Sequence, residues 1–240
     1  MFRFPCSYTT PILLSVLTAV VVALLLLDGF STSSIFAYHA VFMTVAFMLL
    51  FPLGVLSYVG DFGEAVNNSY PDRASRRVLH GTFNAFGVFV TICGYLIAFT
   101  YHVNSGKSHL ASGESVARQA HSWIGLITII AIAILGISGL YKFIVGARDN
   151  EKILKWHGMV APLAWVLGLV NICIAAYFLI GDSSSWSVGI AAIIMVSAFT
   201  VAVLTTVHLR LGNREHVGSF NGVDGDEEEE VGSKKRGLLQ

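Results

Sequence analysis

Four histidines, His39, His80, His121 and His157, each lie at the start of a separate apolar run of this chain. An ionisable side chain at the mouth of a membrane helix is costly and uncommon, so a functional role is the first hypothesis for it. Neutral imidazole is the commonest nitrogen ligand for metals in proteins. The repetition of this feature over four successive runs therefore indicates metal binding.

Membrane-spanning helices are needed to position these histidines. The chain is 55% hydrophobic and only 12% charged, whereas about a quarter of the residues in a soluble domain are charged. A helix needs about 20 apolar residues to cross a bilayer. Six runs meet this requirement, at about 11–27, 38–58, 80–101, 121–143, 157–180 and 187–209. We therefore predict an all-α integral membrane protein with one six-helix domain over residues 1–211.

The two ends of the chain are of different character. Residues 212–240 contain an acidic run and then a basic one, beside glycine and serine, which is typical of disordered, solvated segments. We predict a disordered cytoplasmic tail there. The first apolar run could instead be a signal peptide, but its apolar core exceeds the roughly 7–15 residues of such peptides. This length favours a retained first helix.

The distribution of lysine and arginine predicts the orientation of the helices, because these residues concentrate in cytoplasmic loops. One side of the membrane would have only Lys107 and Arg118. The opposite side would have Arg3, Arg73, Arg76, Arg77, Lys142, Arg148, Lys152, Lys155, Arg210 and Arg214. We therefore expect a multi-pass membrane protein with both termini in the cytoplasm.

The alternating direction of the helices sorts the four histidines into two pairs. His39 and His121 open helices that start on the non-cytoplasmic side, whereas His80 and His157 open helices that start in the cytoplasm. A span of about 20 residues is about 30 Å long, so two sites near its ends would lie roughly 20 Å apart. We predict an outer and an inner site in a central four-helix bundle of helices 2–5.

Haem iron fits two facing imidazoles better than zinc does. Zinc requires three or four protein ligands. No Asp or Glu lies within the spans, and Cys93 and Cys173 are at least 13 residues along the chain from any of these histidines. Two axial histidines and four nitrogens of a macrocycle satisfy iron, so we predict two b-type haems. The chain contains no C-x-x-C-H motif, so the haems would be non-covalent. With both axial positions filled, the expected role is electron transfer.

Short motifs surround these histidines in a fixed order. They are YHAVFM at 38–43, RVLHG at 77–81, YHVN at 101–104, GKSHL at 106–110, HSWIG at 121–125 and KWHG at 155–158. The set resembles the cytochrome b561 family, whose members carry electrons across membranes from ascorbate. The resemblance runs from about residue 36 to residue 178.

This resemblance implies a six-helix protein, usually a homodimer, with two haems b. No catalytic side chain is expected. The outer haem would be held by His39 and His121, and the inner haem by His80 and His157. His102 and Lys107 would serve the non-cytoplasmic substrate site, where the acceptor is monodehydroascorbate or a ferric chelate. The cytoplasmic ascorbate site would use the basic residues Arg73, Arg76, Arg77, Arg148 and Lys152.

Three positions depart from the family pattern. Ala40 stands where a proline is common, and Asn84 stands where many animal members have a further histidine. Basic residues near the inner site are mostly arginine, where relatives often have lysine. None of these positions is an expected haem ligand, so the departures concern the donor preference and the subfamily.

Two other functions compete with this interpretation. A di-haem anchor subunit would exchange electrons with quinone in the lipid and would be indifferent to ascorbate. A divalent-metal transporter would use the histidines as ligands, but it would also need carboxylates within the membrane, and the spans contain essentially none. The lipid membrane is an expected partner in every case, and nucleic acid in none.

Overall fold

The computed structural model describes residues 6–32, 35–57, 73–106, 115–149, 156–181 and 188–207, which are helical apart from a few residues at helix ends. Each of the six helices contains a stretch that is long and apolar enough to cross a membrane. This confirms the predicted all-α fold with six membrane helices. The tail at 212–240 lies outside the described residues. The helices are α1 (Cys6–Thr32), α2 (Phe36–Leu56), α3 (Arg73–Asn104), α4 (Val116–Asp149), α5 (His157–Gly181) and α6 (Val188–Val207).

The four helices that begin with or near a histidine form a closed bundle. Helix α2 packs on α3, α3 on α4 and α4 on α5, and α5 returns to the middle of α2. Helix α1 packs against α2. Buried residues of α6, such as Ile194 and Val201, belong to the same apolar core as Leu14 of α1. Helices α2–α5 thus enclose the space in which the histidines meet.

Large apolar side chains also cover the outside of the helices. Phe89, Ile137 and Phe199 are 60%, 72% and 71% exposed. An apolar exterior of this kind suits contact with lipid tails. Lipid tails offer no hydrogen-bond partners, so each helix has to satisfy its own backbone groups. Helices α3 and α4 extend beyond their predicted spans, since hydropathy identifies only the part of a helix that lies in the membrane.

A π-helical turn at Val45–Leu50 interrupts α2. Within it the N–H of Phe51 bonds to the carbonyl of Ala46, five residues earlier. In the same register the Phe47 carbonyl would pair with Pro52, which has no N–H to donate. The indole N–H of Trp165 on α5 donates to the Phe47 carbonyl instead, at 2.8 Å. Pro52 and Trp165 therefore explain the turn, and the bond joins α5 to the middle of α2.

Candidate functional site

His39 and His121 meet inside the bundle, one from α2 and the other from α4. Their ring centroids are 6.3 Å apart and their ring planes are nearly perpendicular, at 88°. A bond between a metal and an imidazole nitrogen is about 2 Å long. Two such bonds, together with the distance from each ring nitrogen to its own centroid, add up to about this separation. The spacing therefore fits one metal ion between the two rings.

The second nitrogen of each ring is bonded to a backbone carbonyl on a neighbouring helix. Nδ1 of His39 lies 2.9 Å from the Gly94 oxygen on α3, and Nδ1 of His121 lies 3.3 Å from the Asn171 oxygen on α5. A carbonyl oxygen can only accept, so Nδ1 must carry the hydrogen in both rings. This tautomer leaves the lone pair on Nε2, the atom that would coordinate a metal.

His80 has the same tautomer at the other end of the bundle. Its Nδ1 donates to the Gly54 carbonyl of α2 at 2.7 Å. The Asn84 amide donates to the backbone oxygen of His80 at 2.7 Å and lies 3.3 Å from Nδ1. Because Nδ1 already carries a hydrogen, the contact with Asn84 is not a bond to that nitrogen. Asn84 instead packs between His80 and Gly54, where a Cβ at Gly54 would overlap it.

His157 uses a side-chain oxygen in place of a carbonyl. The hydroxyl of Ser138 on α4 donates its hydrogen to the Leu135 carbonyl at 2.9 Å. The same oxygen lies 3.1 Å from Nδ1 of His157, so it accepts a hydrogen from that nitrogen. His157 also lies within electrostatic range of His80. All four histidines therefore have the tautomer with the hydrogen on Nδ1 and the lone pair on Nε2.

These contacts are reciprocal between helices. A helix that contributes a histidine at one level also contributes an oxygen acceptor to a histidine at the other level. The two levels, named here after their histidines, are about four helical turns or about 20 Å apart along α3. In chain order the helices contribute His39 and Gly54, His80 and Gly94, His121 and Ser138, and His157 and Asn171.

The donor set at each level fits haem. No group of three or more His, Cys, Asp or Glu side chains in the described part of the chain is close enough to hold a metal ion. The protein thus offers two imidazole nitrogens at a level, which is the number of ligands that a haem iron would need from the protein to become six-coordinate. A porphyrin would supply the other four nitrogens.

The predicted basic residues lie near the His80–His157 level as far as the structure describes them. Arg76 and Arg77 lie on α3 one turn before His80, and the Nε atom of Arg76 is buried without a hydrogen-bond partner. Arg73 is the first residue of α3 and Arg148 lies in the last turn of α4, but the structure describes neither side chain. Lys152 lies outside the described residues.

Lys142 is a residue of this region that the sequence did not single out. It lies on α4 one turn after Ser138, within electrostatic range of both His80 and His157. The positive-inside rule accounts for any lysine near a cytoplasmic helix end, so the sequence carries no signal that distinguishes Lys142. Its position four residues after Ser138 puts the two residues on the same helical face.

His102 lies among aromatic rings at the end of α3. Its ring meets Phe36 edge-on at 5.8 Å and Tyr101 at 5.7 Å. Phe36 in turn stacks on His39 with a centroid distance of 5.3 Å. A line of rings therefore connects His102 to the His39–His121 level. Lys107, its predicted companion, lies outside the described residues.

The chain is similar to proteins of known family. Residues 38–180 match the family model described as eukaryotic cytochrome b561, and the match covers more than half of the chain. Two Zea mays proteins, ascorbate-specific transmembrane electron transporters 2 and 1, are 28% and 26% identical over 150 residues, which is 61% of this chain and 58% of each relative. A probable transmembrane reductase of Mus musculus is 22% identical over 148 residues, 60% of either chain. The chain thus spans less than two thirds of the length of these relatives.

Proposed function

Because the chain belongs to the eukaryotic cytochrome b561 family, we propose that it moves electrons across a membrane through two non-covalent b-type haems. His39 and His121 would hold one haem, and His80 and His157 would hold the other. The observation that supports this most directly is the shared tautomer, since all four Nδ1 atoms donate to oxygen. Metal-ligating histidines almost always have such a partner on the other ring nitrogen.

The residues of the chain hold and orient the haems and exclude water. Haem, when bound, supplies a one-electron couple of ferric and ferrous iron. Two histidines would complete the coordination of each iron and leave no position open for a further ligand, so electron transfer is the chemistry that the haems would supply. Perpendicular imidazole planes at 88° are fixed by acceptors on two different helices.

The electron donor in this proposal is cytosolic ascorbate, bound near the His80–His157 level. The two Zea mays relatives are named as ascorbate-specific. Ascorbate is an anion at neutral pH, so a group of cations attracts and orients it. The buried, unpartnered Nε of Arg76 supports an anion site there. The cations of the proposed site are Arg73, Arg76, Arg77, Arg148 and Lys152.

The acceptor in this proposal takes electrons on the non-cytoplasmic side, at His102 and Lys107. The acceptor is monodehydroascorbate or a ferric chelate. The mouse relative is named as a probable transmembrane reductase. The ring contacts from His102 through Phe36 to His39 support an exit at this place. Both termini are in the cytoplasm in this arrangement, and the protein works as a homodimer in the membrane.

An ascorbate titration of the purified full chain tests this proposal. Ascorbate should reduce bound haem, and replacement of Arg76 and Arg77 together by glutamine should slow the reduction without loss of haem absorbance. Arg118→Gln is the matched control, because Arg118 lies at the opposite end of the bundle, three residues before His121. An unchanged rate in the double variant would place the donor site elsewhere, and indifference of the parent to ascorbate would favour the quinone alternative.

A further inference from the structure

Two phenylalanine rings occupy the middle of the bundle, between the two histidine levels. Phe47 and Phe51 of α2 are 3% and 7% exposed. Their ring centroids are 5.2 Å apart, with an angle of 65° between the planes. Along α2 both residues lie between His39 and Gly54, which belong to different levels. The rings therefore lie in the gap that an electron has to cross.

Glycines on two other helices make room for these rings. A Cβ at Gly168 of α5 would overlap the ring of Phe47, and a Cβ at Gly87 of α3 would lie 2.7 Å from the ring of Phe51. Gly87 lies about two turns from His80 and about two turns from Gly94. Gly168 also lies between the levels, but it is eleven residues after His157 and only three before Asn171, so it is nearer the His39–His121 level. The ring pair thus extends across the bundle from α5 to α3 between the two levels.

Trp165 fixes the position of Phe47. Its indole N–H donates to the Phe47 carbonyl at 2.8 Å, and its side chain is 7% exposed. This carbonyl has no partner in the π-register because Pro52 has no N–H. A buried carbonyl without a donor would cost free energy, so the indole secures both the π-turn and the ring that the turn presents.

We propose that Phe47 and Phe51 form an aromatic bridge between the two haem sites, and that Trp165 is the residue that positions it. This inference rests on the proposed function. With haem bound at both levels, one electron would move from the His80–His157 site to the His39–His121 site. The first site would be oxidised and the second reduced, and no bond or proton in the bridge would change. The rings keep the gap filled with packed, polarisable atoms and free of water.

Three variants of the full-length holoprotein test the bridge. Phe47→Leu removes the ring but keeps an apolar side chain, Gly168→Ala displaces the ring, and Trp165→Phe removes the indole donor. The matched controls are Phe89→Leu, at a residue 60% exposed on the outside of α3, and Gly189→Ala, where an added Cβ meets no atom within 4 Å. The measurements are haem content, the midpoint potential of each haem, and the rate of electron redistribution after photoreduction of one haem.

We expect the three bridge variants to retain both haems and their potentials but to redistribute the electron more slowly than the parent. Both controls should match the parent. Trp165→Phe should also speed hydrogen–deuterium exchange of the amides at 45–51, because the π-turn loses its external donor. This exchange is independent of electron transfer, so it tests the positioning role of Trp165 separately.

The outcomes separate this inference from the function on which it rests. A parent protein that binds no haem contradicts the proposed function. A parent with two reducible haems, whose electron redistribution is as fast in Phe47→Leu and Gly168→Ala as in the controls, contradicts the bridge alone. Unchanged exchange at 45–51 in Trp165→Phe contradicts the positioning role.

Discussion

The His39–His121 and His80–His157 levels orient their histidines in the same way but in different chemical surroundings. At the first level, both acceptors are backbone carbonyls, at 2.9 and 3.3 Å, and the neighbours are aromatic rings. At the second, one acceptor is the Ser138 hydroxyl, and Lys142 lies within electrostatic range. Groups around a ligand and nearby charge both tune a bound metal. Two sites with the same ligands can therefore have different properties.

This difference has a direction. A cation near one haem disfavours the ferric state, which has one more positive charge than the ferrous state, and so raises the potential of that haem. A hydrogen bond donated by Nδ1 makes the imidazole a more basic ligand for the iron and so favours the ferric state. The Nδ1 hydrogen bonds act at both levels, so the charge of Lys142 gives the difference its direction. Altering one level at a time tests this difference.

Loss of a single ligand should have the largest effect. His39→Ala or His121→Ala should remove one of the two haems, while the haem at the other level is retained and still reduced, because each site has its own ligands and acceptors. His80→Ala or His157→Ala should give the reciprocal result. The measurement is haem content per chain by absorbance of the purified protein.

His102→Ala is the control for this experiment, since in the proposed arrangement His102 neither binds a haem nor accepts the Nδ1 hydrogen bond of a histidine that does. It should leave both haems bound. Loss of both haems from each single ligand variant would show that the two levels do not fold or bind independently, and the comparison between them would fail.

Loss of the Ser138 hydroxyl should weaken only the His80–His157 level. Without this acceptor the orientation and tautomer of His157 are no longer fixed, and loss of such a partner typically lowers metal affinity about 10- to 100-fold. Haem release from Ser138→Ala can be followed as transfer of haem to a haem-binding acceptor protein. It should be biphasic, with a fast phase from the His80–His157 level.

Thr128→Ala is the matched control on the same helix. Among the described residues, the Thr128 hydroxyl donates to the Ile124 carbonyl of its own helix, at 2.7 Å, and not to a histidine. Its replacement should leave both release rates unchanged. Equal release from Ser138→Ala and Thr128→Ala would show that the serine does not support His157.

Removal of the Lys142 charge should have the smallest effect, a change of potential without loss of haem. Lys142→Met should lower the potential of the His80–His157 haem, because the cation no longer opposes the ferric state. A one-electron potential changes by about 59 mV for a tenfold change in equilibrium constant, so a partly screened charge corresponds to a shift on the order of tens of millivolts. Spectroelectrochemical titration would measure it.

Arg118→Met tests the effect of a nearby charge on the potential of the His39–His121 haem. Arg118 is exposed near the start of α4, so solvent and salt screen its charge and the shift at the His39–His121 haem should be smaller. A larger shift from Arg118 than from Lys142, or a rise of potential in Lys142→Met, would contradict the electrostatic difference between the levels.

The helices and the pairing of His39 with His121 could be predicted from the sequence because each has a strong physical signal. A run of about 20 apolar residues crosses a bilayer, and a histidine at its end is rare enough to stand out. The alternation of helix direction then sorts the histidines into two levels. The predicted spans are shorter than α3 and α4 at both ends because the polar turns outside the lipid are also helical.

The supporting oxygens could not be predicted in the same way. Gly54, Gly94 and Asn171 contribute backbone carbonyls, and every residue has one, so the side-chain type carries no signal. The π-turn depends on Trp165, which lies 118 residues from Phe47 along the chain. A glycine such as Gly168 indicates close packing from sequence alone, but only the structure identifies the ring of Phe47 as its neighbour.

The central claim is that two bis-histidine haems lie at separate levels of one bundle. Low-temperature electron paramagnetic resonance of the oxidised, purified full chain tests it most directly. We expect two distinct low-spin ferric haem signals, of which His39→Ala removes one and His80→Ala removes the other. A single signal that both substitutions abolish, or a parent protein without a haem signal, would contradict it.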